Sequence, residues 1–359
     1  MEYILGFLLA FLFSILLTGI ARKIGIKYNV MSRPRERDVH VKPVPRIGGP
    51  AIFLAFVLAL AFFLAKVFDF QSSVILDWHL WGIIIGGLFV VSLNLIDDVK
   101  GLSPAKKMLI QVLAAIIVIA SGVGIDFLSN PFGGEFNLNS VYVPIFSFNG
   151  IVYHFSLWSD LLTLVWLVGM MNVMNFVDGV DGLASGLSLI ASIILFVLAI
   201  SLAVSQPSTA LITIIFAGAA GGFLVWNFPP AKIFMGDSGS MFLGFMLGVL
   251  PLISGGKLAT AFLVLGFPIV DGLVVAIGRI TRGKNPFNTP DKTHLHHRFL
   301  NAGFSTRQAI LSMYFIAATF GWVALRSTTE EKFIAAFALI LLVIVTLYLL
   351  ARFRPKKNA

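Results

Sequence analysis

Stretches of apolar residues long enough to cross a bilayer constrain this chain more than any other feature. A spanning helix needs about 20 mostly apolar residues. Eleven such runs occupy about 3–21, 47–67, 79–96, 108–125, 158–176, 184–204, 208–226, 240–256, 258–277, 308–325 and 333–351. They predict an all-α integral membrane protein with about eleven transmembrane helices, forming one polytopic domain over 1–359. The charged fraction of 12%, against about 25% in soluble chains, excludes a string of soluble domains. The first run lacks a basic start and an A-x-A-like cleavage site, so it is expected to be a retained helix rather than a signal peptide. Runs six and seven are separated only by Ser205–Ser208 and predict a tight helical hairpin. The absence of cysteine removes disulfides, thiolate catalysis and cysteine-ligated metals from consideration.

The net charge of +9 is compatible with nucleic acid, an anionic membrane or an anionic substrate. When the loops are assigned alternately to two sides, 22 of the 26 Lys and Arg residues fall on one of them. That side carries +13 and the other −4. The positive-inside rule makes the basic side cytoplasmic, with the N-terminus outside and the C-terminus inside. Nucleic acid is then not needed to explain the charge. The outer side carries one sizeable insert, about 126–157, whose alternating residues around Phe136–Phe148 predict a small external β-hairpin. The chain has no internal repeat of the kind that an inverted-repeat transporter shows.

Acids in an apolar chain are costly and therefore candidates for function. They gather toward the cytoplasmic side: Asp97 and Asp98 after span three, Asp178 and Asp181 after span five, Asp237 before span eight and Asp271 within span nine. Asn172, Asn175 and Asp178, each three residues apart, lie along one slowly drifting helical stripe. Amide and carboxylate oxygens with no thiolate suit Mg²⁺, with Mn²⁺ as the alternative. The same Asp-Gly-Val-Asp-Gly run is also ordinary turn chemistry. Asp97 and Asp98 project about 100° apart on a helix, so one can face substrate while the other meets a backbone N–H or a lysine such as Lys106. Gly236-Asp237-Ser238 resembles a loop entering a helix, where free N–H groups favour phosphate. Asp271 could instead pair with a polar neighbour inside the bundle.

The loop over 279–307 is rich in His and Arg and carries Asp291-Lys-Thr-His294-Leu-His296-His297-Arg298. The 294, 296, 297 spacing is poor for zinc on one helical face, whereas His and Arg donors suit a diphosphate. A solvated basic loop against anionic lipid is the plain alternative. Carboxylates for a hard cation beside a basic loop at a membrane surface suit phosphoryl transfer between an anionic soluble substrate and an anionic lipid. An ion-coupled transporter would place its acids near the bilayer midplane, and a lipid-binding scaffold would not need three acidic motifs.

Asn-Leu-Ile-Asp97-Asp98-x-x-Gly-Leu-Ser-Pro, Asn172-x-x-Asn175-x-x-Asp178-Gly-x-Asp181-Gly-Leu-Ala, Phe234-Met-Gly-Asp237-Ser-Gly and His294-Leu-His296-His297-Arg298 occur in that order. Pro45-Arg46-Ile-Gly48-Gly49 and Phe267-Pro268-Ile-Val-Asp271 fit the same pattern. Together they resemble the polyprenyl-phosphate N-acetylhexosamine-1-phosphate transferases of glycosyltransferase family 4, over nearly the whole chain. The resemblance implies Asp237 as principal metal ligand with Asn175 assisting. It implies Asp97 and Asp98 as catalytic carboxylates, and Gly179, Asp181 and a stacking Phe234 around a uracil. It further implies that His294, His296, His297 and Arg298, with Lys42 or Arg46, grip a nucleotide diphosphate and sugar beside Asn172 and Asp178. The implied substrates are a UDP-N-acetylhexosamine and undecaprenyl phosphate, the cofactor Mg²⁺, and the place the inner membrane of a bacterium with the site facing the cytoplasm. A homodimer is left open. Leu295 interrupts the three consecutive histidines usual in the branch that uses UDP-MurNAc-pentapeptide, which favours UDP-GlcNAc.

Overall fold

A computed structural model of the chain describes residues 1–32, 43–65, 78–130, 132–148, 151–202, 204–255, 257–283 and 294–352. Lys42 and residues 284–293 of the His/Arg-rich loop, including Asp291, lie outside the described residues. The apolar runs become α1 (Glu2–Lys27), α2 (Gly49–Leu64), α3 (Trp78–Lys100), α4 (Pro104–Ala120), α5 (Leu157–Val177) and α6 (Leu183–Ile200). They continue as α7 (Pro207–Asn227), α8 (Gly236–Ile253), α9 (Leu258–Ile280), α11 (Thr306–Arg326) and α12 (Thr329–Arg352), with a short α10 (Leu295–Asn301) between α9 and α11. Among the described residues, nine helices are long and apolar enough to cross a membrane. α2 and α4, at 16 and 17 residues, fall short of that length. The protein is thus a multi-pass, all-helical membrane protein by length and composition.

Helix ends follow local chemistry. Ser103 adopts an extended conformation before Pro104, which opens α4 at a position where its missing N–H costs nothing. α4 stops at Ala120 because Gly122 turns the chain at φ +89°, so the apolar run continues beyond the helix to Ile125. Ser201–Gln206 join α6 and α7, which pack against each other as the expected hairpin.

Apolar burial drives little helix association within lipid, so close backbone approach and hydrogen bonds matter more. α7 meets α1 through Gly218 and Gly222, where any added Cβ would strike the carbonyls of Phe7 and Phe11. Ser14 Oγ donates to the Ala219 carbonyl at 2.7 Å, and Trp226 Nε1 to that of Ile15 at 3.1 Å. α8 is the central strut: 94% of its apolar window is buried, against 22% for α1 and 17% for α12. Phe242 of α8 meets Phe53 and Phe216 edge-on, with ring centroids 5.3 and 6.0 Å apart.

The expected hairpin in the insert is two antiparallel hairpins. β3 (Phe127–Ser129) pairs with β4 (Glu135–Asn137), and β5 (Tyr142–Phe148) pairs with β6 (Ile151–Ser156), with an irregularity between Pro144 and Phe146. β6 runs directly into the N-terminus of α5, placing the insert at one end of the bundle. A further pair, β1 (Met31–Ser32) with β2 (Val44–Pro45), lies at the opposite end beside the start of α2. The C-termini of α3 and α5 and the N-termini of α4 and α8 converge at that same end.

Candidate active site

The site begins with backbone pairing that the sequence does not advertise. Residues Pro45–Gly49 run alongside Phe234–Met235: Phe234 N donates to the Pro45 carbonyl at 2.8 Å, Gly48 N to Phe234 at 3.0 Å, and Gly49 N to Met235 at 2.8 Å. This clamp brings Arg46 to the first turn of α8. Asp98, from the end of α3, caps that turn. Its carboxylate accepts the backbone N–H groups of Asp237 (2.7 Å) and Ser238 (3.1 Å) and the Ser238 hydroxyl (2.6 Å). These N–H groups are therefore used by Asp98, a correction to the expectation that the α8 N-terminus is open to phosphate. Asp98 stands where an anion is favoured, because the helix end offers positive potential to any nearby negative charge.

Asp97, Asp98 and Asp237 each offer an oxygen within 4.8 Å of the others. Two cations lie among them. Lys107 Nζ stands 2.6 Å from Asp97 Oδ2 and 2.5 Å from Asp237 Oδ2. Arg46 pairs through Nη2 with Asp237, and its Nε lies 3.6 Å from Asp98. The lysine expected beside the Asp pair is thus Lys107 rather than Lys106, which is exposed one step round the helix. Asp97 also accepts the Leu102 N–H at 2.5 Å, which closes the turn after α3. Three carboxylates outnumber the two cations by one, and their donors are all hard oxygens. The set suits a divalent cation. Sequence reasoning missed Lys107, but it had a signal. Gln111, polar and buried in an apolar helix, lies four residues on and marks the inward face.

The Asn172–Asp178 stripe is half-buried, and its two amides reach α4 and α8. Asn172 and Gln111 exchange amide hydrogen bonds at 2.7 and 3.3 Å, and Asn175 Nδ2 donates to Ser240 Oγ at 3.0 Å. Asp178 ends α5 nearest the cluster. Crowding away from water pushes its carboxyl well above the usual range; Asp237, Asp98 and Asp181 add repulsion, and Arg46 opposes it. Asp181 accepts the Ala231 N–H at 2.9 Å, and Asn227 ties Gly182 to the same loop at 3.0 Å. Gly179 is exposed between these anchors. The Asp178–Gly182 loop, Phe234 and the acidic cluster therefore share one end of the bundle.

The His segment joins them only in part. His294 and His296 are buried and their rings lie parallel, 5.6 Å apart, while His297 is 4.4 Å from His296. His296 Nε2 sits against Gly179, 3.0 Å from where a Cβ on that residue would be. Burial, with added repulsion from His297 and His294, holds the His296 ring well below its ordinary 6.5. Arg298 instead reaches α12, donating from Nη1 to the Leu347 carbonyl at 2.9 Å.

Residues 80–255 match the family described as Glycosyl transferase family 4. The chain is 33% identical over 348 residues to the probable undecaprenyl-phosphate N-acetylglucosaminyl 1-phosphate transferase of Bacillus subtilis (strain 168), covering 95% of this chain and 89% of that one. It is 32% identical over 365 residues to the decaprenyl-phosphate N-acetylglucosaminephosphotransferase of Mycolicibacterium smegmatis, covering 94% and 86%. It is also 32% identical over 329 residues to the undecaprenyl-phosphate alpha-N-acetylglucosaminyl 1-phosphate transferase of Pasteurella multocida, covering 89% and 83%. With the acidic motifs, the basic residues among them and these relatives all in agreement along its length, the chain belongs to glycosyl transferase family 4.

Proposed function

We propose that this chain transfers N-acetylglucosamine-1-phosphate from UDP-GlcNAc to undecaprenyl phosphate. The names of relatives matched along nearly the full length support this substrate pair. The observation that carries the chemistry is the meeting of Asp97, Asp98 and Asp237 with Lys107 and Arg46 at one end of the bundle. In the reaction, an oxygen of the lipid phosphate forms a bond to the β-phosphorus of the sugar nucleotide. The bond from that phosphorus to the bridging oxygen breaks, and UMP leaves with that oxygen. Undecaprenyl-diphosphate-GlcNAc remains in the membrane.

Asp97, Asp98 and Asp237 would hold Mg²⁺, with Mn²⁺ as a substitute, and its charge lets two phosphates that repel each other share one site. Asn175 stands on the next turn of α5 and supports that set through Ser240. Arg46 and Lys107 each bridge two of these carboxylates, which offsets their mutual repulsion, and they offer N–H donors to incoming phosphate oxygens. The Asp178–Asp181 loop with Phe234 receives the uracil, and His294, His296 and His297 stand on the diphosphate side. Lys42, four residues before Arg46 in the sequence, is a further proposed donor to the diphosphate. The excess of basic residues at this end supports an orientation in which the apolar helices cross a bacterial inner membrane and the site faces the cytoplasm.

The test is turnover by the purified chain with undecaprenyl phosphate and Mg²⁺, comparing UDP-GlcNAc, UDP-GalNAc and UDP-MurNAc-pentapeptide. UMP release is expected with UDP-GlcNAc, and chelation should abolish it. No UMP from any of the three would overturn the proposal.

A further inference from the structure

Asp271 is a buried acid two-thirds of the way along α9, a position where an unpaired carboxylate is costly. Two donors satisfy it, both from the start of α10. Oδ1 accepts the Leu295 N–H at 2.9 Å, and Oδ2 lies 2.9 Å from His294 Nδ1. One carboxylate therefore fixes both the first turn of α10 and the ring that precedes it. A carboxylate only accepts, so the proton between them sits on Nδ1, and Nε2 is the ring nitrogen left to act elsewhere.

The ring so fixed belongs to a stack built from three helices. The Arg279 guanidinium of α9 lies 5.9 Å over the Phe176 ring of α5, Phe176 is 5.7 Å from His294, and His294 is parallel to His296. His296 in turn abuts Gly179, in the loop that follows α5. Rotation of the His294 ring would thus disturb the whole path from α9 to the Asp178–Gly182 loop.

We propose that Asp271 is a positioning residue for the transfer: it holds His294 in the Nδ1–H form and seats the His294–His297 segment against the end of α5. This rests on the transferase reading above. Asp271 touches no substrate; it acts through His294.

The discriminating variant is Asp271→Asn in the full-length chain. Its amide oxygen still accepts the Leu295 N–H, but its amide nitrogen is a donor, so His294 must accept at Nδ1 and carry its proton on Nε2. The reversal of tautomer is expected to lower kcat by about 10- to 100-fold, the scale for outer partners that orient a working ring. The KM for undecaprenyl phosphate and the melting temperature should stay near those of the wild type. Wild-type kcat in a folded Asp271→Asn protein would reduce Asp271 to a structural tie and overturn the proposal. The ring ¹⁵N shifts of His294, assigned by comparison with His294→Gln, give a second measurement. The wild type should show protonated Nδ1, and an unprotonated Nδ1 would overturn the proposal even where Asp271→Asn fails to fold. Failure of the wild type to release UMP would instead sink the transferase reading, leaving the ¹⁵N result to decide the Asp271–His294 link.

Discussion

Gly236 answers two demands at once. Its backbone turns at φ +74°, and a Cβ there would collide with the Asp98 carboxylate that caps α8. Gly236→Ala should therefore cost about 1–3 kcal/mol in backbone strain alone and push Asp98 off the helix end. A lower melting temperature in detergent, with loss of UMP release, is the expected result; a variant as stable and active as wild type would contradict it. Asp237→Ala removes the carboxylate shared by Arg46 and Lys107. Turnover should fall by about 100-fold or more, the scale for losing a positioned electrostatic group, and saturating Mg²⁺ should not restore it. His296 gives a pH signature. Its ring stays neutral in the fold, whereas the unfolded chain takes up a proton near pH 6.5. The unfolded state then binds more protons below that pH, so stability falls as the pH drops from about 6.5. His296→Phe should flatten that decline in melting temperature between about pH 7.5 and 5.5, and an unchanged slope would clear His296 of the effect. The three carboxylates were legible in the sequence because acids are rare and costly in so apolar a chain. Arg46 and Lys107 were not singled out as their partners, because cations are plentiful on that side and no spacing sets these two apart. The Asp98 cap was hidden as well, since a contact across 139 residues leaves no local trace.

At the scale of elements, each apolar run became a helix, since period and length suffice where lipid leaves the backbone no other way to satisfy itself. The ends were less legible. α4 is displaced toward Pro104 because proline and Gly122 overrule hydropathy at its two ends. α10 was not expected, since seven residues of mixed polarity carry no clear period. Nor was the β1–β2 pair, two residues on each side. The α1–α7 seam shows how small residues replace apolar burial inside lipid. Gly222→Leu should force α1 away from α7, because the new side chain would meet the Phe11 carbonyl. Overpacking of this kind costs about 1–3 kcal/mol, and a lower melting temperature with normal membrane insertion is the expected outcome. Unchanged stability would mean that the seam is looser than its backbone contacts indicate.

For the whole molecule, the proposed orientation rests on the charge asymmetry, and a chain with no cysteine is well suited to test it. Phe132→Cys, at the almost fully exposed tip of the insert, and Lys106→Cys, at the acidic end, place single thiols at opposite ends. A membrane-impermeant maleimide should label the first in intact cells and the second only after permeabilisation. The reverse pattern would invert the topology. The buried position of α8 has a further consequence. A helix enclosed by protein cannot tilt in response to a thicker or thinner hydrocarbon layer, so such adjustments fall to the lipid-facing α1 and α12. The carboxylates at the tip of α8 are thereby insulated from hydrophobic mismatch. Turnover should hold steady across vesicles of graded acyl-chain length until the peripheral helices themselves give way.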